Sequence, residues 1–161
     1  VSEVALPAGF EVAHETHRTI MEADIAVSFA PLWERGRERL SDRLREIIAS
    51  GQRHLAVDYA LALARVEPLY RTLEPLLARF DAILTPATTG EAPLLSESHT
   101  GSPTFCTIWT LLGMPAVSLP LLNGAEGLPI GVQLVGARAD DARLLRTARW
   151  LVSQGATWLE A

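Results

Sequence analysis

Apolar residues recur along this chain with two different spacings, and the change from one to the other divides it. Between His14 and Phe29 the apolar positions are Ile20, Met21, Ala23, Ile25 and Phe29, with acids between them, which is helical spacing. Pro31 is expected to end that helix. Ser41 to Ala49 reads as a compact helix, with Ser41 able to cap the first-turn amides and Gly51 able to take a left-handed exit. From His54 to Phe80 the helical period is kept by Leu55, Tyr59, Leu63, Val66, Leu69, Tyr70, Leu73, Leu76, Leu77 and Phe80. Pro68 and Pro75 each remove a donor and crowd the preceding turn, so a kink or a break is expected there.

After Asp81 the pattern changes to short apolar runs bounded by Pro and Gly. Ala82 to Thr85 reads as a buried strand stopped by Pro86. Residues 86–101, rich in Thr, Ser, Gly and Pro, read as a loop. Ser102 and Pro103 start a helix, with Ser as cap and Pro in the first turn, that runs to Leu112 and ends at Gly113. Ala116 to Leu119 is a second buried strand between two prolines, Asn123 to Gly127 is turn chemistry, and Ile130 to Val135 is a third strand. Asp140 is expected to cap a final helix ending at Gly155. At the other end, Val1 to Leu6 alternates loosely up to Pro7 and reads as one more short strand. With Val rather than Met in first place, the expectation is a chain that begins inside a longer protein.

The order is strand, several helices, then strand–helix–strand–strand–helix, which is the α/β class. The strands from residue 82 onward are apolar on both faces, as in a sheet covered by helices on both sides. Neither a repeat nor a linker interrupts the chain, so residues 1–161 read as one piece. Four strands would leave an apolar edge uncovered, and a pairing partner is expected: the missing half of a larger fold, or a second copy.

Composition narrows the classes. With 48% hydrophobic and 20% charged residues the chain is globular. A net charge of −5 offers no basic stripe for phosphates, so nucleic acid is not expected as a partner. No apolar run reaches the roughly 18 residues of a membrane helix. Cys106 is the only cysteine, which excludes an internal disulfide and fits a reducing, cytoplasmic setting.

Several candidate chemistries fail on spacing. His14 and His17 stand three apart without a third ligand, so no metal site is expected. Ser96 or Ser98 with His99 and Glu91 or Asp81 could be assembled as a hydrolase. However, near neighbours on one loop rarely align, and no G-x-S-x-G elbow is present. Cys106 lies on a predicted helix with no His nearby. Asp140 and Asp141 point apart at a helix start, and no acid–base work is assigned to them. Gly127 to Gln133 matches neither phosphate-loop pattern, so its glycines are read as serving a turn and close strand packing.

What remains is an ordered set over Asp81 to Gly136. It comprises Asp81-Ala82-Ile83-Leu84-Thr85-Pro86, Ala92-Pro93, Thr100-Gly101, Phe105, Trp109-Thr110, Gly113-Met114-Pro115-Ala116, Pro120 and Gly127-Leu128-Pro129-Ile130-Gly131-Val132-Gln133. Asp140 and Leu144-Leu145 close it. This set resembles the C-terminal signature of the amidase signature family. The resemblance implies the C-terminal part of an α/β/α sandwich around a mixed sheet, and hydrolysis of amide C–N bonds without a cofactor. The family's catalytic Lys, its serine in a cis peptide and its nucleophilic Ser in a Gly/Ser-rich segment lie upstream of the region matched. This chain has no Lys and no such segment, since all fourteen positive charges are Arg.

By resemblance, Pro86 and Thr88 help line the substrate pocket, and Phe105 and Trp109 face it from one side of a helix. The plain alternatives are a proline that ends a strand and an aromatic pair four residues apart in a core. The resemblance further implies a small amide substrate and, as partner, the N-terminal half of the same enzyme. Two other readings stand beside it: the amidase-like subunit of the tRNA-dependent (glutamyl-tRNA) amidotransferase, and a non-catalytic binding module that keeps this end of the fold.

Overall fold

The computed structural model describes residues 1–97 and 99–154, which group into two compact units, Val1–Arg71 and Thr72 onward. The first unit is helical. A 3-10 turn at Phe10–Val12 leads into α1 (Ala13–Ser28), followed by α2 (Ala30–Gly36), α3 (Asp42–Gly51) and α4 (Ala56–Leu77), whose last turns belong to the second unit. Pro31 ends α1 as expected by opening α2, where the proline sits in the first turn and gives up no needed donor. The Ser41 hydroxyl accepts the Leu44 amide at 3.3 Å and caps α3.

α3 packs on α1, and Gly51 is the reason it can approach closely. Gly51 is the buried last residue of α3 rather than a left-handed exit, and only glycine fits there, since a Cβ would overlap the Glu22 carbonyl oxygen. The contact is fastened by polar groups. The Ser50 hydroxyl donates to Glu22 Oε2 at 2.6 Å and His54 Nε2, just after α3, lies 3.0 Å from the same oxygen, while from α4 the Tyr59 hydroxyl donates to Asp24 at 2.8 Å. α4 runs unbroken through Pro68 and Pro75. Residues 1–6 form no strand, since no described segment pairs with them, and Val1, Val4 and Leu6 stay exposed.

The second unit holds one antiparallel sheet in the order β1–β3–β2, made of β1 (Ile83–Pro86), β2 (Ala116–Asn123) and β3 (Pro129–Val135). Only β3 is central, and it carries most of the burial: Val132, Gln133, Leu134 and Val135 are all buried. β2 is an edge strand that alternates exposed and half-buried, not a strand buried on both faces. It passes Pro120 instead of stopping there, because a proline is tolerated on an edge, and the register shifts between Pro120 and Leu122.

Helix α5 (Thr104–Leu111) lies between β1 and β2 in the chain, and α6 (Asp141–Ser153) covers one face of the sheet. Leu144, Ala148 and Leu151 close over Leu134, with Val117, Leu119 and Leu121 of β2 packed against them. The Asp140 carboxylate does not cap α6 but pairs with Arg143 at 2.9 Å, while the Asp140 carbonyl receives the Arg143 and Leu144 amides. The expected end of this helix at Gly155 lies outside the described residues.

Candidate functional site

Neighbouring residues of a strand point to opposite faces. Leu134 belongs to the α6 side, so Gln133 faces the other, where its cross-strand partners are Thr85 and Ser118. A polar row, Thr85–Gln133–Ser118, thus crosses the sheet. Gln133 is only 5% exposed, and a buried amide needs partners. Its Nε2 donates to Thr85 Oγ1 at 3.1 Å and to the Phe105 carbonyl at 3.0 Å.

The second bond ties the start of α5 to the sheet. This helix is entered through Pro103 rather than a serine side-chain cap; Ser102 Oγ accepts the Thr104 amide at 3.3 Å. The helical segment ends at Gly113 as the sequence predicts, and the structure adds that this glycine takes the left-handed region, with φ of 60°. From α5 the Cys106 thiol reaches the Ala87 carbonyl at 3.7 Å, and Trp109 is buried. The Ala87 amide continues the β1 pairing to the Gly131 carbonyl at 2.9 Å. A Cβ on Gly131 would strike Ser118 Oγ, so the glycine predicted to serve close packing does so.

Beyond β1 the loop opens around a cavity of about 620 Å³, lined by Thr88, Gly90, Glu91, Ala92, Pro93, Leu95, His99, Thr100 and Pro129. That volume suits a small organic molecule, and the wall is mostly apolar with a few polar groups. His99 Nδ1 accepts the Gly101 amide at 3.1 Å, and its Nε2 lies 3.1 Å from Glu97. Both ring nitrogens are therefore occupied, and no described serine hydroxyl uses His99 as a base; Ser98 lies outside the described residues. Glu91 turns away from catalysis as well. Its Oε1 accepts the amides of Glu126 at 3.0 Å and Leu128 at 3.2 Å, across the turn between β2 and β3.

Of the four residues expected at a pocket, Thr88 lines this cavity. Pro86 is exposed at the end of β1 opposite Val132, Phe105 is half-buried on α5, and Trp109 is in the core; these three are not among the residues around it. The roles of Gln133 and Glu91 were not legible in the sequence. The signal for Gln133 was an amide inside the apolar run Val132–Val135. Glu91 gave only a lone acid between Gly90 and Ala92-Pro93.

Among the described residues no three His, Cys, Asp or Glu side chains gather as a metal site. His17 is half-buried, and burial, then the charge of His14, hold its imidazole below its ordinary value. No helix of the described residues is long and apolar enough to cross a membrane.

An antiparallel sheet covered on one face by α6, with the start of α5 tied to Gln133 on the other and a loop cavity at a strand end, is how this chain presents the signature read in its sequence. The family model described as Amidase matches residues 5–145, and the chain belongs to the amidase family. Fatty acid amide hydrolase of Medicago truncatula is 31% identical over 160 residues, covering 92% of this chain and 26% of that protein. A glutamyl-tRNA(Gln) amidotransferase subunit of Cereibacter sphaeroides is 40% identical over 85 residues, covering 48% of this chain and 17% of that protein. Among solved structures, a crystal structure of an amidase superposes with a TM-score of 0.85 at 30% identity, over 96% of this chain and 37% of that one. The chain thus spans well under half the length of these relatives.

Proposed function

We propose that this chain is the C-terminal part of an amidase that hydrolyses carbon–nitrogen amide bonds. It supplies pocket walls and closes the sheet, and is inactive alone. The observation that carries the reading is a family match over residues 5–145 in a chain without a single Lys. In the complete enzyme a Ser attacks the amide carbonyl, the amine leaves, and water releases the acid from the acyl-enzyme. The Lys acts as base through the bridging serine, and backbone amides hold the oxyanion. Those groups come from the N-terminal portion, which is the expected partner.

The mostly apolar lining of the loop cavity favours a small amide with an apolar substituent, and the likeness to a fatty acid amide hydrolase points the same way. Pro86, Thr88, Phe105 and Trp109 are kept as candidate pocket residues, with Thr88 at the cavity and the others supporting the strand end and helix beside β3. The setting proposed is the cytoplasm.

The test is the intact mass of the native gene product, followed by amide hydrolysis with the chain alone and within that product. A product far heavier than 17.5 kDa that cleaves amides, with the chain alone inert, is the expected result. A native product of 17.5 kDa would overturn it in favour of the binding module.

The amidotransferase component is the second reading, favoured by the higher identity over 85 residues. It ranks below the first because the match to the amide hydrolase runs over 160 residues. Co-purification of the native product with further subunits would reverse that order.

A further inference from the structure

The carboxylate of Glu91 joins two segments far apart in sequence. Glu91 leaves the loop that walls the cavity, and its Oε1 takes the amides of Glu126 and Leu128 at 3.0 and 3.2 Å. Pro129, the residue after Leu128, is the cavity wall contributed by the hairpin. Gly124 and Gly127 shape the turn that presents these amides. Gly127 has a φ of 80°, and its amide donates to the Gly124 carbonyl at 3.0 Å. Gly124 lies so close to Glu91 that a Cβ there would overlap the carboxylate. The turn is therefore fitted to this one side chain, and the loop 88–93 is held to the hairpin through it.

We propose that Glu91 is a positioning residue for amide hydrolysis: by clasping the β2–β3 turn it sets the separation of the two cavity walls, and with it the fit of the substrate's apolar group. This rests on the amidase reading above. An ionised acceptor with two amide donors makes stronger bonds than a neutral one, and with them broken the nearest backbone bond to the hairpin is that of Ala87, before the loop begins. The clasp touches no reacting atom, so its loss acts on binding more than on the chemical step.

The experiment uses the complete enzyme that contains this chain, with Glu91→Ala, Glu91→Gln, Gly124→Ala and the double variant Glu91→Ala/Gly124→Ala, assayed on an amide series of increasing acyl length. Loss of two charge-assisted bonds raises KM by on the order of tenfold for Glu91→Ala, with kcat within about twofold. Glu91→Gln keeps a carbonyl acceptor and restores most of KM. Gly124→Ala expels the carboxylate and behaves like Glu91→Ala, and the double variant is no worse than either alone.

Unchanged KM across all four variants of an active enzyme overturns the proposal while leaving the amidase reading intact. If the variants fail to fold, amide hydrogen exchange in the wild type decides. Slow exchange at Glu126 and Leu128 supports the clasp, and exchange at open-loop rates refutes it. A wild type inert toward every amide refutes the amidase reading instead, and the exchange of those two amides still tells whether the clasp exists.

Discussion

Gly51 and Gln133 each do a job that depends on one atom. Gly51 has no Cβ, and that lets α3 rest on the Glu22 carbonyl. Gly51→Ala gains about 1 kcal/mol of helix propensity. Forcing two helix backbones apart costs more, so we expect a net loss of about 2 kcal/mol. Urea unfolding of Gly51→Ala beside Gly90→Ala checks this, since a Cβ at Gly90 meets nothing within 4 Å and its midpoint should stay put. Gln133 pairs the Phe105 carbonyl and the Thr85 hydroxyl from a buried position. Gln133→Leu keeps the volume but removes both bonds, leaving the Thr85 hydroxyl its bond to the Pro86 carbonyl, and we expect a loss of about 2 kcal/mol for the two bonds. An unchanged midpoint would mean that other groups satisfy them.

Between elements, the α1–α3 contact carries its own pH dependence. Burial alone would raise the Glu22 carboxyl. The hydrogen bonds from Ser50 and His54, with the charges of His54 and Arg18, outweigh it and hold Glu22 below its ordinary value. A depressed carboxyl contributes stability that is complete above the ordinary carboxylate range and is lost as pH falls through the lowered value. Wild type should therefore lose more stability than Glu22→Gln as pH is lowered through that range. Parallel curves for the two proteins in a pH series of urea midpoints would refute this role of Glu22. The surface ion pairs Arg43–Glu46 and Arg71–Glu67 are highly exposed and should matter little beside it.

For the whole molecule the consequence lies at the sheet margins. The order β1–β3–β2 leaves the outer edges of β1 and β2 unpaired among the described residues. An unpaired edge is a template for another strand. The isolated chain should grow in size with concentration in sedimentation. A single 17.5 kDa species at every concentration would show that the edges are otherwise blunted, with Pro120 on β2 the first residue to examine.

Most of the elements, and the family, could be read from order along the chain. Helical spacing placed α1, α3 and α4, Ser41 marked the cap of α3, Gly113 marked the end of α5, and the ordered set from Asp81 to Gln133 identified the amidase signature. These follow from periodicity, local capping and local pattern, which act over a few residues. Long-range packing settled what such patterns leave open. Whether Gly51 ends a helix or lies under another is a matter of what packs there, and residues 1–6 form no strand because an extended run needs a neighbour to pair with. Pro120 could be read as a stop only while β2 was taken for a central strand. Glu91 and the turn that receives it are 35 residues apart at Glu126, a separation no local pattern records. The bonds that shape the cavity wall exist only once the hairpin has folded back onto the loop.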